Sequence, residues 1–170
     1  FNNSQIGLLA SIPKLISAAI QPFIGHLIEQ FGSRKRMATI SKLIISLLWL
    51  PAATLLLMPQ SQAFFLFLLI LIIYSAAIST LNTAWASWMA DIVPEKVRGS
   101  YFGRRDMVAG AAGLLTTLLG GWILGITETI SGFATVFVIG TFLGLVSISF
   151  LRAVPEPEYK IIHFGHNFSF

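Results

Sequence analysis

The sequence predicts an all-α membrane protein of five transmembrane helices, and three observations carry that reading. Hydrophobic residues make up 55% and charged residues 11% of the chain, with a mean hydropathy of +0.81, well outside the range of soluble globular domains. Formal charge is absent from 43–90, 107–127 and 129–151. Alternation at period two, the mark of barrel strands, is missing over those lengths, which leaves helices to satisfy the backbone in lipid.

A helix needs roughly 20 mainly apolar residues to cross about 30 Å of hydrocarbon. Proline, glycine and charge accordingly divide the chain into spans of about 5–28, 37–58, 63–92, 105–127 and 131–152. In the first span Lys14, Ala18, Gln21 and Gly25 fall on one stripe, at intervals of four, three and four. Ionisable groups inside spans usually face a bundle interior or an aqueous pathway, so Lys14 and Gln21 are cavity candidates. Lys14 has an alternative, since its long stem can carry the ammonium to the membrane surface. Lys42, near the start of the second span, is expected to do the same.

The third span is about 45 Å long at 1.5 Å per residue, so it should tilt or project beyond the bilayer. On it Ser75, Ser79 and Asn82 recur at i, i+4 and i+7, beside Trp85 and Trp88. Such a stripe either lines a cavity or hydrogen-bonds another helix. Asn82 with Trp85 suits a polar small molecule that has an apolar flank, while Trp88 and Trp122 read as interfacial anchors. The fourth span carries Ala109, Gly113, Thr117, Gly121 and Gly125 at four-residue intervals, a face of small residues that lets another helix approach closely. Gly140 and Gly144 repeat the theme in the last span, for packing. The tail 155–170 reads as a cytoplasmic linker, loosely ordered or lying on the membrane surface, with His163 and His166 solvated.

Cations in short loops are retained in the cytoplasm. Apart from Lys14 and Lys42, all of the Lys and Arg (Arg34, Lys35, Arg36, Lys96, Arg98, Arg104, Arg105, Arg152 and Lys160) fall at one side of the five spans. The N-terminus of the chain is therefore expected outside, the C-terminus in the cytoplasm, and the protein in the cell membrane. The net charge of +4 is then a topology signal and not the footprint of a nucleic-acid partner. With no cysteine, three scattered histidines, no phosphate-cradling loop and no nucleophile beside a base, neither enzymatic chemistry nor a metal or cofactor is expected. Glu29, Asp91, Glu95 and Asp106 cluster at the cytoplasmic ends and Glu128 lies outside, so no carboxylate of this chain sits at a membrane midplane to carry a proton. The chain opens at Phe1 without a basic n-region or a starting methionine and reads as a fragment.

Two turns on the cationic side are more specific. In GHLIEQFGSRKR, residues 25–36, the positions Gly25, Glu29, Gly32 and Arg34 to Arg36 resemble the loop between the second and third helices of the major facilitator superfamily, roughly G-x-x-x-D-R-x-G-R-R/K. Glu29 stands for the usual Asp, Gln30 where a cation is common, and Ser33 separates Gly32 from Arg34. In ADIVPEKVRG, residues 90–99, Asp91, six further residues and Arg98-Gly99 are similar to the end of the fourth helix in that superfamily, sugar porters especially. The resemblance covers about 5–157 and implies that these spans are the second to sixth helices of an N-terminal half, with the first helix and the C-terminal half as missing partners.

The resemblance implies a secondary or facilitative transporter that moves a small-molecule substrate across the lipid bilayer by alternating access. It implies that Glu29, Arg34, Asp91 and Arg98 form a charge network latching the cytoplasmic gate, against the alternative of ordinary loop charge that fixes topology. It also implies that the partner of the small-residue face is a helix of the other half. The antiporter signature of Gly-Pro before Gly-Gly is not met, since Thr116-Thr117 precede Gly120-Gly121. A weak echo between 25–32 and 121–132, at opposite membrane sides, fits inverted repeats. A non-transporting sensor or scaffold that keeps the transporter fold is the alternative from another functional class.

Overall fold

The computed structural model describes residues 2–127 and 130–157. Helix α1 (Asn3–Phe31) opens on a reciprocal cap: Asn2 Oδ1 accepts from the Gln5 N–H at 2.8 Å, and the Asn2 N–H donates to Gln5 Oε1 at 2.9 Å. Pro13 and Pro22 lie inside α1. Each removes a bond to the carbonyl four residues back, a loss that spanning helices tolerate when neighbouring groups compensate. α1 stops at Gly32, whose φ of 64° is left-handed and whose N–H donates to the Ile28 and Glu29 carbonyls at 3.1 and 3.2 Å. A residue with a Cβ would be strained there. Ser33 caps the next helix at once, its Oγ accepting from the Arg36 N–H at 3.1 Å. Gly32 and Ser33 alone therefore reverse the chain.

The second expected span is interrupted. α2 (Arg34–Leu47) stops one residue before α3 (Trp49–Thr54), and a 3-10 turn, Leu55–Leu57, follows. Pro51 accounts for the break, because it offers no N–H to the Leu47 carbonyl and its ring crowds that oxygen. α4 (Gln60–Ile92) is continuous over 33 residues. α5 (Glu95–Thr127) begins at Glu95, ten residues ahead of the expected 105. Pro94 precedes it, and Glu95 in its first turn meets the positive end of the helix dipole. The charged stretch to Arg105 needs no hydrocarbon around it to be helical. With α6 (Ile130–Ala153), the described residues hold five segments long and apolar enough to cross a membrane, α2 and α3 together forming one of them.

α4 is the centre, with α1 and α2 packed on it and α6 lying against α2 and α3. Ile24 and Ile28 of α1, Met37 and Ala38 of α2 and Ala84 of α4 form a buried cluster, closed by Leu81 and Leu151. Ala38 and Ala84 are fully buried, and their small side chains let α2 and α4 approach closely. α2 and α6 meet as tightly: a Cβ on Gly144 would stand 2.4 Å from Ser46 Oγ. At the end of the molecule away from the charges, Trp49 stacks on Phe137 at 5.7 Å between ring centroids and meets Tyr74 edge-on at 6.1 Å.

α5 touches mainly α6 and contributes no buried residue. Leu114, Leu118 and Trp122 are all more than 60% exposed. Gly113, Gly121 and Gly125 have no atom within 4 Å of where a Cβ would stand, and Thr117 is exposed, its hydroxyl donating to the Gly113 carbonyl of its own helix. The small-residue face of α5 thus carries no helix among the described residues. Of the two glycines expected to pack in α6, Gly144 does so on Ser46 and Gly140 faces open space.

Candidate functional site

The charged ends of α1, α2, α4, α5 and α6 converge on one corner. Asp91 lies in the last turn of α4, where the negative end of the helix dipole disfavours an anion. Arg34, the first residue of α2, compensates it: Nη1 lies 2.5 Å from Asp91 Oδ2 and donates also to the Ser87 carbonyl at 2.7 Å. The Arg34 side chain is 11% exposed and that of Asp91 49%, so the pair is half sheltered from water. Arg98 of α5 also reaches the end of α4. Its Nη2 donates to the Ala90 carbonyl at 2.6 Å and more weakly to Val93 at 3.4 Å, which places a cation where the dipole favours one. Gly99 follows it in α5 with open space around.

Glu29, expected in the same network, stands apart from it. Ile28 takes the core-facing position at the end of α1, and Glu29, about 100° further round the helix, points outward. Its carboxylate is 58% exposed and has His26 Nδ1 of its own helix at 4.0 Å. Gly25, expected to permit a close approach, has nothing within 4 Å.

A carboxylate from the other end of the chain enters instead. Glu156 accepts from Ser33 Oγ at 2.8 Å and from the Lys35 N–H at 2.9 Å. The first turn of α2 contains Arg34, Lys35 and Arg36 and no acid, so an anion at this helix N-terminus satisfies both the free N–H groups and the dipole. Lys35 Nζ donates to the Val154 carbonyl at 2.7 Å, and Trp88 Nε1 donates to the Pro155 carbonyl at 3.0 Å. Residues 154–156 are therefore tied to the α1–α2 turn, in contrast to the loose tail expected from 155. The rest of that tail, with Lys160, His163 and His166, falls outside the described residues. Trp88 is likewise corrected: it is 1% exposed, wedged inside the corner and not anchored at a lipid interface.

Beside this corner lies a cavity of 330 Å³ between α2, α4, α5 and α6, lined by Lys42, Leu81, Asn82, Trp85, Arg105 and Phe150 among others. Asn82 and Trp85 were expected at a cavity, and the fold brings them to this one. Lys42, expected to reach for the membrane surface, lines it as well. The Arg105 guanidinium lies 4.3 Å from the centre of the Trp85 ring, which Phe102 braces edge-on at 5.7 Å. Arg105 Nη1 also meets Asp106 Oδ1 at 2.7 Å. Lys14 and Gln21 are exposed on α1 and do not line this cavity.

The fold thus assembles Arg34, Asp91 and Arg98 at the end of α4, and Asn82 and Trp85 at the cavity. Sequence reasoning missed Glu156, Lys42 and Arg105. For Glu156 the signal was present, because a helix start with three cations and no acid is short of negative charge. No group of His, Cys, Asp or Glu fit to hold a metal occurs among the described residues. In comparisons with known proteins, the family model described as Major Facilitator Superfamily matches residues 1–166. No curated protein and no solved structure matches the chain.

Proposed function

The chain belongs to the major facilitator superfamily of membrane transporters, and on that premise we propose that it moves a small solute across the membrane by alternating access. The observation that carries this reading is the Arg34–Asp91 pair, which joins the start of α2 to the end of α4 within a corner that Arg98 and Glu156 complete. Half-sheltered ion pairs and single hydrogen bonds hold firmly enough to fix a state and weakly enough to exchange. The corner acts as a latch on one side of the membrane. That side is the cytoplasm, because the connections carrying nearly all of the cations lie there.

Asn82 and Trp85 face the solute, and Lys14 and Gln21 on α1 line the same pathway when the remaining helices of the transporter are in place. The open glycine face of α5, with Gly113, Thr117, Gly121 and Gly125, receives a helix of the partner half. Reconstitution of the intact protein in liposomes tests the proposal. Solute counterflow should be present, and should fall at least about tenfold in Arg34→Ala and Asp91→Ala if the latch contributes a typical charge-assisted contact. Unchanged counterflow in both variants would refute the latch. Since the chain has no cysteine, single cysteines at Arg36 and Glu95 report sidedness, and both should react only from the cytoplasmic face.

A further inference from the structure

We propose that the cavity beside the corner binds a small organic anion, a carboxylate or a phosphate monoester carrying an apolar flank, and that this is the class of the transported solute. The assignment of the anion as cargo rests on the transport reading above; the binding site itself does not.

Charge is the first argument. Two cations, Lys42 and Arg105, line a space of 330 Å³. The nearby acids are already engaged: Asp91 with Arg34, Glu156 with Ser33 and Lys35, and Asp106 with Arg105 itself. Asp106 takes one nitrogen of the guanidinium and leaves the Lys42 ammonium uncompensated. The cavity therefore carries an excess of positive charge.

Depth makes that excess costly. Lys42 lies eight residues past the start of α2 and Asn82 nine before Asp91, so each is about 12–14 Å from the charged end of its helix, while Arg105 closes the charged first stretch of α5. Among the described residues neither the Lys42 ammonium nor the Asn82 amide has a hydrogen bond or ion pair. A cation at such depth is retained where it has a partner or an aqueous pathway to serve.

Geometry supplies the rest. The Arg105 guanidinium lies over the Trp85 ring at 4.3 Å, and the nitrogens not taken by Asp106 are donors of the kind that carboxylate and phosphate oxygens accept from. Asn82 adds amide donors from the same helix as Trp85. Leu81 and Phe150 form the apolar wall. The volume lies at the small end of the range for small-molecule sites, enough for a ring-sized flank behind one anionic group.

The test uses the intact protein in neutral detergent, with benzoate and phenyl phosphate as probes, benzamide as the uncharged analogue and chloride at equal ionic strength. Benzoate or phenyl phosphate should raise the melting temperature saturably, and benzamide and chloride should not. The apparent affinity should weaken about tenfold or more in Lys42→Gln and in Asn82→Ala, and be kept within a few-fold in Lys42→Arg, as loss or retention of a charged hydrogen bond requires. Equal stabilisation of wild type and Lys42→Gln, or none beyond chloride, would overturn the site. Lys42-dependent stabilisation by phosphatidylglycerol bicelles, with no response to either probe, would also overturn it, in favour of a lipid headgroup. Liposome flux separates the two readings. Transport of a neutral solute without probe binding sinks the anion site alone, and probe binding without flux sinks the transport reading alone.

Discussion

Arg34 Nη1 bridges the Asp91 carboxylate and the Ser87 carbonyl, so one nitrogen of α2 holds both a side chain and the backbone of the last turns of α4. Because Arg34 is the more buried partner, the two substitutions are unequal. Asp91→Ala takes the counter-charge from a sheltered cation, whereas Arg34→Ala leaves a carboxylate that water can reach. A double-mutant cycle read by thermal unfolding should give a coupling of about 1–2 kcal/mol, between the values for exposed and buried pairs. Strictly additive effects would show that the pair contributes nothing to folding.

The Ser33–Glu156 contact predicts a second coupling. Ser33 both caps α2 and donates to Glu156. Ser33→Ala should cost about 1 kcal/mol through the lost cap, and Glu156→Gln should cost less in the Ser33→Ala background than alone. Limited proteolysis after Ala153 reads the same contact: cleavage should accelerate in Glu156→Ala and in Trp88→Phe, which loses the donor to Pro155. Equal cleavage rates would mean that residues 154–156 are not held by these bonds.

At the α2–α6 crossing the two glycines of α6 should behave oppositely. Gly144→Ala forces a methyl to 2.4 Å from Ser46 Oγ and 2.9 Å from its Cβ, and Ser46 cannot simply turn away, being buried and bonded to the Lys42 carbonyl at 2.8 Å. The expected cost is about 1–3 kcal/mol. Gly140→Ala meets nothing and should be neutral or gain up to about 1 kcal/mol from helix propensity. Melting temperatures of the two variants that moved together would contradict the crossing.

The turn itself is testable at Gly32. With φ at 64°, Gly32→Ala should cost about 1 kcal/mol, and Gly32→Asn noticeably less, because asparagine tolerates the left-handed region. Equal losses in the two variants would point to something other than backbone strain.

Much of this was legible in the sequence for a physical reason: lipid punishes charge, so the positions of Arg34, Asp91 and Arg98 mark where helices leave it. Opposite charges at the ends of neighbouring spans then had a reason to meet, and Arg34 and Asp91 do. Apolarity marks what lies in lipid and not what is helical, so a reading by apolarity takes the charged first turns of α5 for connection and runs through the break at Leu47 despite Pro51. Glu29 misled because its place in the turn does not reveal which way it points; Ile28 had the stronger claim on the core. Lys42 and Arg105 come from helices far apart in the chain, and their shared cavity exists only once α5 and α6 are placed. Glu156 bonds mainly to a backbone N–H and a hydroxyl, groups that leave no pattern of their own.

That last contact orders events during synthesis. The N–H of Lys35 meets its carboxylate 121 residues later in the chain, roughly 6–24 s after it leaves the ribosome at about 5–20 residues per second. Until then this cationic bend is an unfinished joint, and a nascent chain stalled at Arg152 would hold α1 to α5 and most of α6 with their cornerstone still missing.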